Sequence, residues 1–315
     1  MSTAPKNKAN LKVIEEWPIP GGLPRSGLIT WKIRCSDREV LLCEDGGEHC
    51  FHLNLEDRLL TKVEWPKPDW AKVQERNGYI FHEKGARDIS VSSGQSTCMA
   101  AIATKANYAF CWKLGSTTTK IIEKGMIHRV AVAPGGEFIA CGTGKWVLDA
   151  ATPAQASVFI WDLGSDECIA ERNLPGCCVT SLLWIHDEEW GCIYSTEFEA
   201  YQQLIVATTM TRNQKSGFVV VMDPIDLRII EISETPYASA HDIIKAWPEY
   251  RLVLAGGMRE LGSSFHTLGK WSCPDFTPQA TKTPSDLWMD ENHVFRLHCS
   301  GGDVLSVQIL EQVDT

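Results

Sequence analysis

With 30 Lys and Arg against 40 Asp and Glu, the 315-residue chain carries a formal charge of −10, and it is 44% hydrophobic and 22% charged. That balance is too apolar for a disordered chain, and the acidic surplus argues against general nucleic-acid binding, which needs a basic surface. No stretch reaches the roughly 18–20 uninterrupted apolar residues of a membrane span, so no membrane partner is expected.

Residues 1–10 are small, polar and lysine-bearing and read as a flexible tail, leaving 11–315 as one domain. Leu11–Trp17 is strand-like, and its Glu15 and Glu16 break the run of about 7–15 apolar residues that a signal peptide needs there. A cytoplasmic location follows as the expectation, with the 12 cysteines reduced.

From Gly27 onward the chain repeats itself. Gly27–Arg34, Glu39–Glu44, Cys50–Leu55 and Leu60–Trp65 form a first four-strand unit. Pro66–Arg87 is too short for four more strands and reads as an insertion. A second unit runs from Asp88–Gly94 through Met99–Ala103 to Tyr108–Leu114. The clearest unit follows. His128–Val132 alternates as a strand, Pro134-Gly135-Gly136 turns, Phe138–Gly142 returns, and Ser157–Leu163 ends in Trp161-Asp162 before Gly164–Asp166 turns into a fourth strand from Glu167. Val179–Trp184, Leu204–Thr208 and Phe218–Asp223 make a fourth unit, with Met222-Asp223 where Trp161-Asp162 stands. His241–Ala246 and Arg251–Gly257 begin a fifth, and Leu287–Asp290, His293–Ser300 and Asp303–Leu310 form the last, one strand short.

The unit at 128–171, with its strand, Pro-x-Gly turn, strand and terminal Trp-Asp, closely resembles a WD-repeat blade. The resemblance implies an all-β fold, a single β-propeller of four-stranded blades. Six units are visible, starting near residues 27, 88, 128, 179, 241 and 284, while seven is the commoner number in that family, so six or seven blades stay open. Leu11–Trp17 has no partner of its own and is expected to supply the missing outer strand of the last blade, closing the ring.

The chain has no Gly-His dipeptide, so the buried histidine network of WD-repeat blades is not encoded in its usual place. His128 and His241 sit at the starts of first strands, and Asp88 and Asp242 are expected to hydrogen-bond structurally in its stead. A hairpin turning at Gly46-Gly47 would set Cys43 across from Cys50 and Leu41 across from His52, placing Cys43, Cys50 and His52 on one face beside His49. Zinc would want four such ligands, and no Cys-x-x-Cys occurs, so packing is the expected role and no metal or cofactor is assigned. Gly142–Lys145 lacks both the leading Gly and the trailing Ser or Thr of a phosphate loop.

The longest interruptions, Lys145–Ala156, Tyr194–Gln203 and Met258–Asp275, are expected as rim loops carrying aromatic anchors for a partner: Trp146, Tyr194, Phe198, Tyr201, Phe265, His266 and Trp271. WD-repeat propellers mostly act as non-catalytic platforms for proteins or peptides, so the resemblance implies an interaction scaffold. The acidic surface would favour a basic partner. The alternative is a propeller hydrolase of the lactonase type, with a metal at the channel mouth held by candidates such as Asp88, Asp242 and Asp286.

Overall fold

The computed structural model describes residues 10–18, 31–35, 39–44, 50–54, 57, 59–63, 86–92, 99–104, 107–114, 116, 118–144, 155–186, 203–211, 217–235, 242–246, 251–256, 264–267, 287–289, 294–300 and 304–313. These residues are all-β. They hold no helix, and so none long and apolar enough to cross a membrane.

Six antiparallel sheets account for the strands. The first joins β2 (Trp31–Cys35), β3 (Glu39–Glu44), β4 (Cys50–Asn54) and β5 (Leu59–Lys62). The second joins β6 (Ala86–Val91), β7 (Met99–Thr104), β8 (Ala109–Lys113) and β9 (Thr119–Ile122). The third comprises β10 (Ile127–Val132), β11 (Phe138–Thr143), β12 (Ala156–Asp162) and β13 (Glu167–Leu174). The fourth comprises β14 (Cys178–His186), β15 (Gln203–Met210), β16 (Gly217–Met222) and β17 (Ile229–Thr235). Three strands, β18 (Asp242–Ala246), β19 (Arg251–Gly256) and β20 (Ser264–Thr267), form the fifth. The last orders β1 (Asn10–Pro18), β23 (Val304–Val313), β22 (Val294–Ser300) and β21 (Leu287–Met289). Such four-stranded meanders are the form of propeller blades.

First strands neighbour one another in sequence: β2 lies against β6, β6 against β10, β10 against β14, β14 against β18, β18 against β21, and β21 against β2. β1 pairs antiparallel with β23, from Asn10 opposite Val313 to Pro18 opposite Ser306. The Leu11–Trp17 segment is thus the outermost strand of the last sheet.

Packing between sheets explains the sequence of the inner strands. In the second, third and fourth sheets the middle strands are buried on both faces, so they read as continuous apolar runs instead of alternating ones. On β7 and β8, Ala100, Ile102, Phe110 and Trp112 pack toward the first sheet against Leu41, Cys43 and Cys50. The intervening Ala101, Ala103, Ala109 and Cys111 pack toward the third sheet against Val130, Ile139, Cys141 and Phe159. Bulky side chains thus fill one interface of the second sheet and small ones admit Phe159 at the other. Between the third and fourth sheets, Val158 and Ile160 meet Val179, Leu182, Ile205 and Val220. Complete burial of each such side chain contributes about 1.5–3 kcal/mol.

Three first strands share a bulge near their starts. The register slips between Ala86 and Asp88, between Ile127 and Arg129, and between Val179 and Ser181, leaving Arg87, His128 and Thr180 as the extra residues. A bulge re-aims the side chain it carries. The turn after β10 is closed by the Gly136 amide donating to the Ala133 carbonyl at 2.8 Å, with Gly136 at φ +74, a left-handed conformation that glycine adopts without penalty.

Candidate functional site

The expected partner anchors fall in different places. Trp146, Tyr194, Phe198, Tyr201 and Trp271 lie outside the described residues. Phe265 and His266 lie on β20, opposite Ala255 and Leu254 of β19, so part of the span read as the Met258–Asp275 insertion is the third strand of the fifth sheet. Ser264–Thr267 has only four residues and no Trp-Asp, too little pattern to betray a strand.

The described strand ends also separate two of the long connections. Gly144, just past β11, bridges Cys178 at the start of β14, and Cys178 pairs with Met210 at the end of β15. The connection after residue 144 therefore leaves at that end of the sheets. The connection after β14 starts from His186, paired with Gln203, at the opposite end. The segments bearing Trp146 and Tyr194 are accordingly rooted at opposite ends of the sheets, because successive turns of a meander alternate ends.

Between the sheets runs a seam of polar groups. Asp88 Oδ2 accepts the Val130 amide at 3.1 Å, and Ser90 Oγ accepts the Val132 amide at 2.9 Å, so side chains of β6 satisfy the free edge of β10. This is the structural role expected of Asp88, and it turns that carboxylate toward the neighbouring sheet. The side chain of Asp242 and the whole of Asp286 lie outside the described residues. Next along the seam, Arg129 Nε donates to the Thr180 carbonyl and Arg129 also donates to the His128 carbonyl at 2.9 Å. Thr180 and Thr208 hydroxyls meet at 2.8 Å.

At the seam's centre, bulged His128 places Nδ1 2.9 Å from Cys178 Sγ. A histidine beside a cysteine is the arrangement of a nucleophile and its base, yet the environment sets it the other way. Burial, then the charges of Arg87 and Arg129, push the His128 pKa down to about 2. Burial pushes the Cys178 thiol up to about 12. The imidazole is neutral and the thiol protonated, so the pair is a hydrogen bond between neutral groups and no thiolate forms.

The His128 shift has a stability consequence with a definite sign. Its folded pKa lies below the unfolded value of about 6.5, so the stabilisation is complete above pH 6.5 and declines as acid protonates the unfolded chain alone. Moving from pH 7 to pH 5 is expected to cost about 2 kcal/mol from this group. Thermal melts of wild type and His128→Gln at both pH values check it: the variant should lose that part of the acid sensitivity. Equal slopes would contradict it.

The Trp-Asp signature is structural. Asp162 Oδ1 accepts the Gly164 amide at 2.7 Å and Oδ2 accepts the Ser165 hydroxyl at 3.0 Å, and these bonds hold its carboxyl below the usual range. Asp223, the equivalent residue, accepts the Ile225 amide at 2.9 Å. Sequence reasoning missed a third member, Asn54, whose Oδ1 accepts the Asp57 amide at 2.7 Å. Asn54 and Asp162 end a third strand, Asp223 directly follows one, and all three pin the following turn, as short polar side chains do. The Asn54 signal was available as an Asx residue three positions before its partner.

Cys43 and Cys50 are opposite each other and Leu41 is opposite His52, in the register read from Gly46-Gly47. Both cysteines are wholly buried against the second sheet. Among the described residues, no three metal-ligating side chains come together. Exposed apolar surface gathers at the outer hairpin of the fourth sheet, where Ile225 is 80% exposed and Ile229 and Ile232 are partly so.

No protein-family model matches the chain, and no curated protein matches it. Among solved structures, the chain is similar to BBS1N, crystallised in complex with ARL6DN, at 10% sequence identity and a TM-score of 0.45, over 93% of this chain and 67% of that one.

Proposed function

We propose that the chain is a WD-repeat-like propeller of six blades, its ring closed by β1, that serves as a non-catalytic cytoplasmic scaffold for a protein or peptide partner. The cyclic order of first strands and the pairing of β1 with β23 support the ring. The observation that carries the scaffold reading is where the long connections root. Residues 145–154 and 187–202 spring from β11, β12, β14 and β15, and most side chains of β11, β12 and β15 are buried. Strands held this firmly fix the ends of connections that bear Trp146, Tyr194, Phe198 and Tyr201, and aromatic side chains are common anchors at interfaces. The seam, in contrast, spends Asp88, His128 and Cys178 on holding sheets together.

The partner's expected chemistry is basic, because an acidic surface of net charge −10 steers cationic partners. Replacing Trp146 and Trp271 together by Ala is expected to weaken partner capture at least tenfold with the melting temperature unchanged. Full capture by the double variant would exclude those anchors.

A further inference from the structure

Among the described cysteines, Cys43 and Cys50 stand out by their geometry. They are a register pair on β3 and β4, and their Sγ atoms approach to 2.7 Å. That is shorter than a contact of unbonded sulfurs and longer than an S–S bond of about 2.05 Å. The backbone explains the approach. The Cys50 carbonyl accepts the Val63 amide at 2.8 Å, on the β5 side of the strand. In an antiparallel ladder a residue's N–H and C=O point the same way, so Cys50 turns both away from β3. The Cys43–Cys50 pair is therefore non-hydrogen-bonded, the kind with the closer Cα atoms, about 4.5 Å apart. Disulfides take Cα separations of about 4.4–6.8 Å.

The other described cysteines lack this arrangement. Cys177 and Cys178 are adjacent in the chain but face apart, Cys177 toward the Met210 carbonyl and Cys178 toward His128. Cys111 and Cys141 share a core cluster without a bond between them. A packing role alone needs only two small apolar side chains, and alanine fills comparable inner positions at Ala100, Ala101 and Ala103.

We propose that Cys43 and Cys50 are a redox-active dithiol that closes a reversible cross-strand disulfide between β3 and β4 of the first sheet. With a peroxide as oxidant, one thiolate attacks the O–O bond, forming a sulfenic acid and releasing one water after proton transfer. The second thiol then attacks that sulfur, the S–S bond forms, and a second water leaves. The two thiol hydrogens end in the two waters, and the peroxide takes up both electrons. With a small disulfide such as glutathione disulfide, two successive exchanges during local opening that exposes the buried sulfurs give the same bridge and two glutathione thiols. Thiol reductants reverse either route. The bridge fastens β3 to β4 where both meet the second sheet.

The test uses the full chain, reduced, freed of reductant, and treated under native conditions with hydrogen peroxide or with glutathione disulfide. Remaining thiols are then blocked with a maleimide in denaturant and the protein is cut with trypsin. Cleavage after Arg38 and Arg58 releases residues 39–58, which contain Cys43, Cys50 and no other cysteine. The expected result is a 39–58 peptide two hydrogens lighter and free of maleimide, while peptides with Cys111 and Cys141 stay labelled. Re-reduction should restore two labels. In a glutathione buffer, opening half the bridges should need at least about tenfold more reductant for the native chain than for the chain in urea. A doubly labelled 39–58 peptide after oxidation of other cysteines would overturn the proposal, as would equal opening in the native and unfolded chains. Cys50→Ala should leave Cys43 labelled throughout, and the wild-type readouts stand whether or not that variant folds.

Discussion

Deleting residues 1–18 is expected to lower the melting temperature by on the order of 10 °C. The segment supplies all of β1, and its loss exposes the whole edge of β23 from Ser306 to Val313. Val13, Glu15 and Trp17 alternate on a half-buried face, with Lys12, Ile14 and Glu16 turned outward. Each lost backbone bond costs about 0.5–1.5 kcal/mol net, and the apolar face of Val13 and Trp17 goes with them. Several kcal/mol in total, at roughly 2–4 °C per kcal/mol for a domain of this order of size, gives the shift. A bare ten-residue edge is also a template for pairing with other chains, so the truncated protein should aggregate on heating. Adding residues 1–18 as a separate peptide should recover part of the lost temperature. A truncated chain that melts with the full one would refute the strand's role.

Gly144→Ala should have the second largest effect, a loss of about 2–5 kcal/mol. Gly144 adopts φ +155, and a Cβ there would overlap the Cα of Cys178 and come within 2.6 Å of the Cys177 carbonyl oxygen. Those atoms are backbone of the neighbouring sheet, held by the Gly144–Cys178 bridge, so they have nowhere to retreat. Gly142→Ala should cost less, because its Cβ meets the Val179 side chain at 2.6 Å and a rotamer change relieves part of that overlap. Gly135→Ala is the control: nothing lies within 4 Å of the added methyl, and its melting curve should match wild type. Denaturant unfolding of the three variants ranks them, and equal stability of Gly144→Ala and Gly135→Ala would contradict the close approach of the third and fourth sheets.

Much of this architecture was readable from local pattern. Inner strands such as Phe138–Thr143 announce themselves by apolar runs bounded by glycine and proline, and a turn expected at Gly46-Gly47 predicts the pairing of Cys43 with Cys50 that the register shows. Reading failed where a strand carries little pattern. β9 is only Thr119–Ile122, and β20 only Ser264–Thr267, so neither was distinguished from loop. The seam was less legible still. That Asp88 would be structural followed from its place on a first strand, but its acceptance of the Val130 amide depends on how two sheets 42 residues apart are stacked. His128 looked like a misplaced family histidine; the bulge that turns it to Cys178 is a property of register, invisible in a single strand. Loop sides were legible in principle, since alternating turns of a meander must leave at alternating ends, and that rule separates the roots of the Trp146 and Tyr194 segments.

The proposed closed ring requires β1 to pair with β23, and amide hydrogen exchange of residues 10–18 in the full-length protein tests that most directly. Residues 10–18 and 304–313 should be protected together, with exchange slowed by several orders of magnitude relative to an unstructured peptide, and residues 304–313 should lose that protection when 1–18 are removed. Exchange of residues 10–18 at the rate of a free tail, with 304–313 still protected, would contradict the pairing and the closed ring built on it.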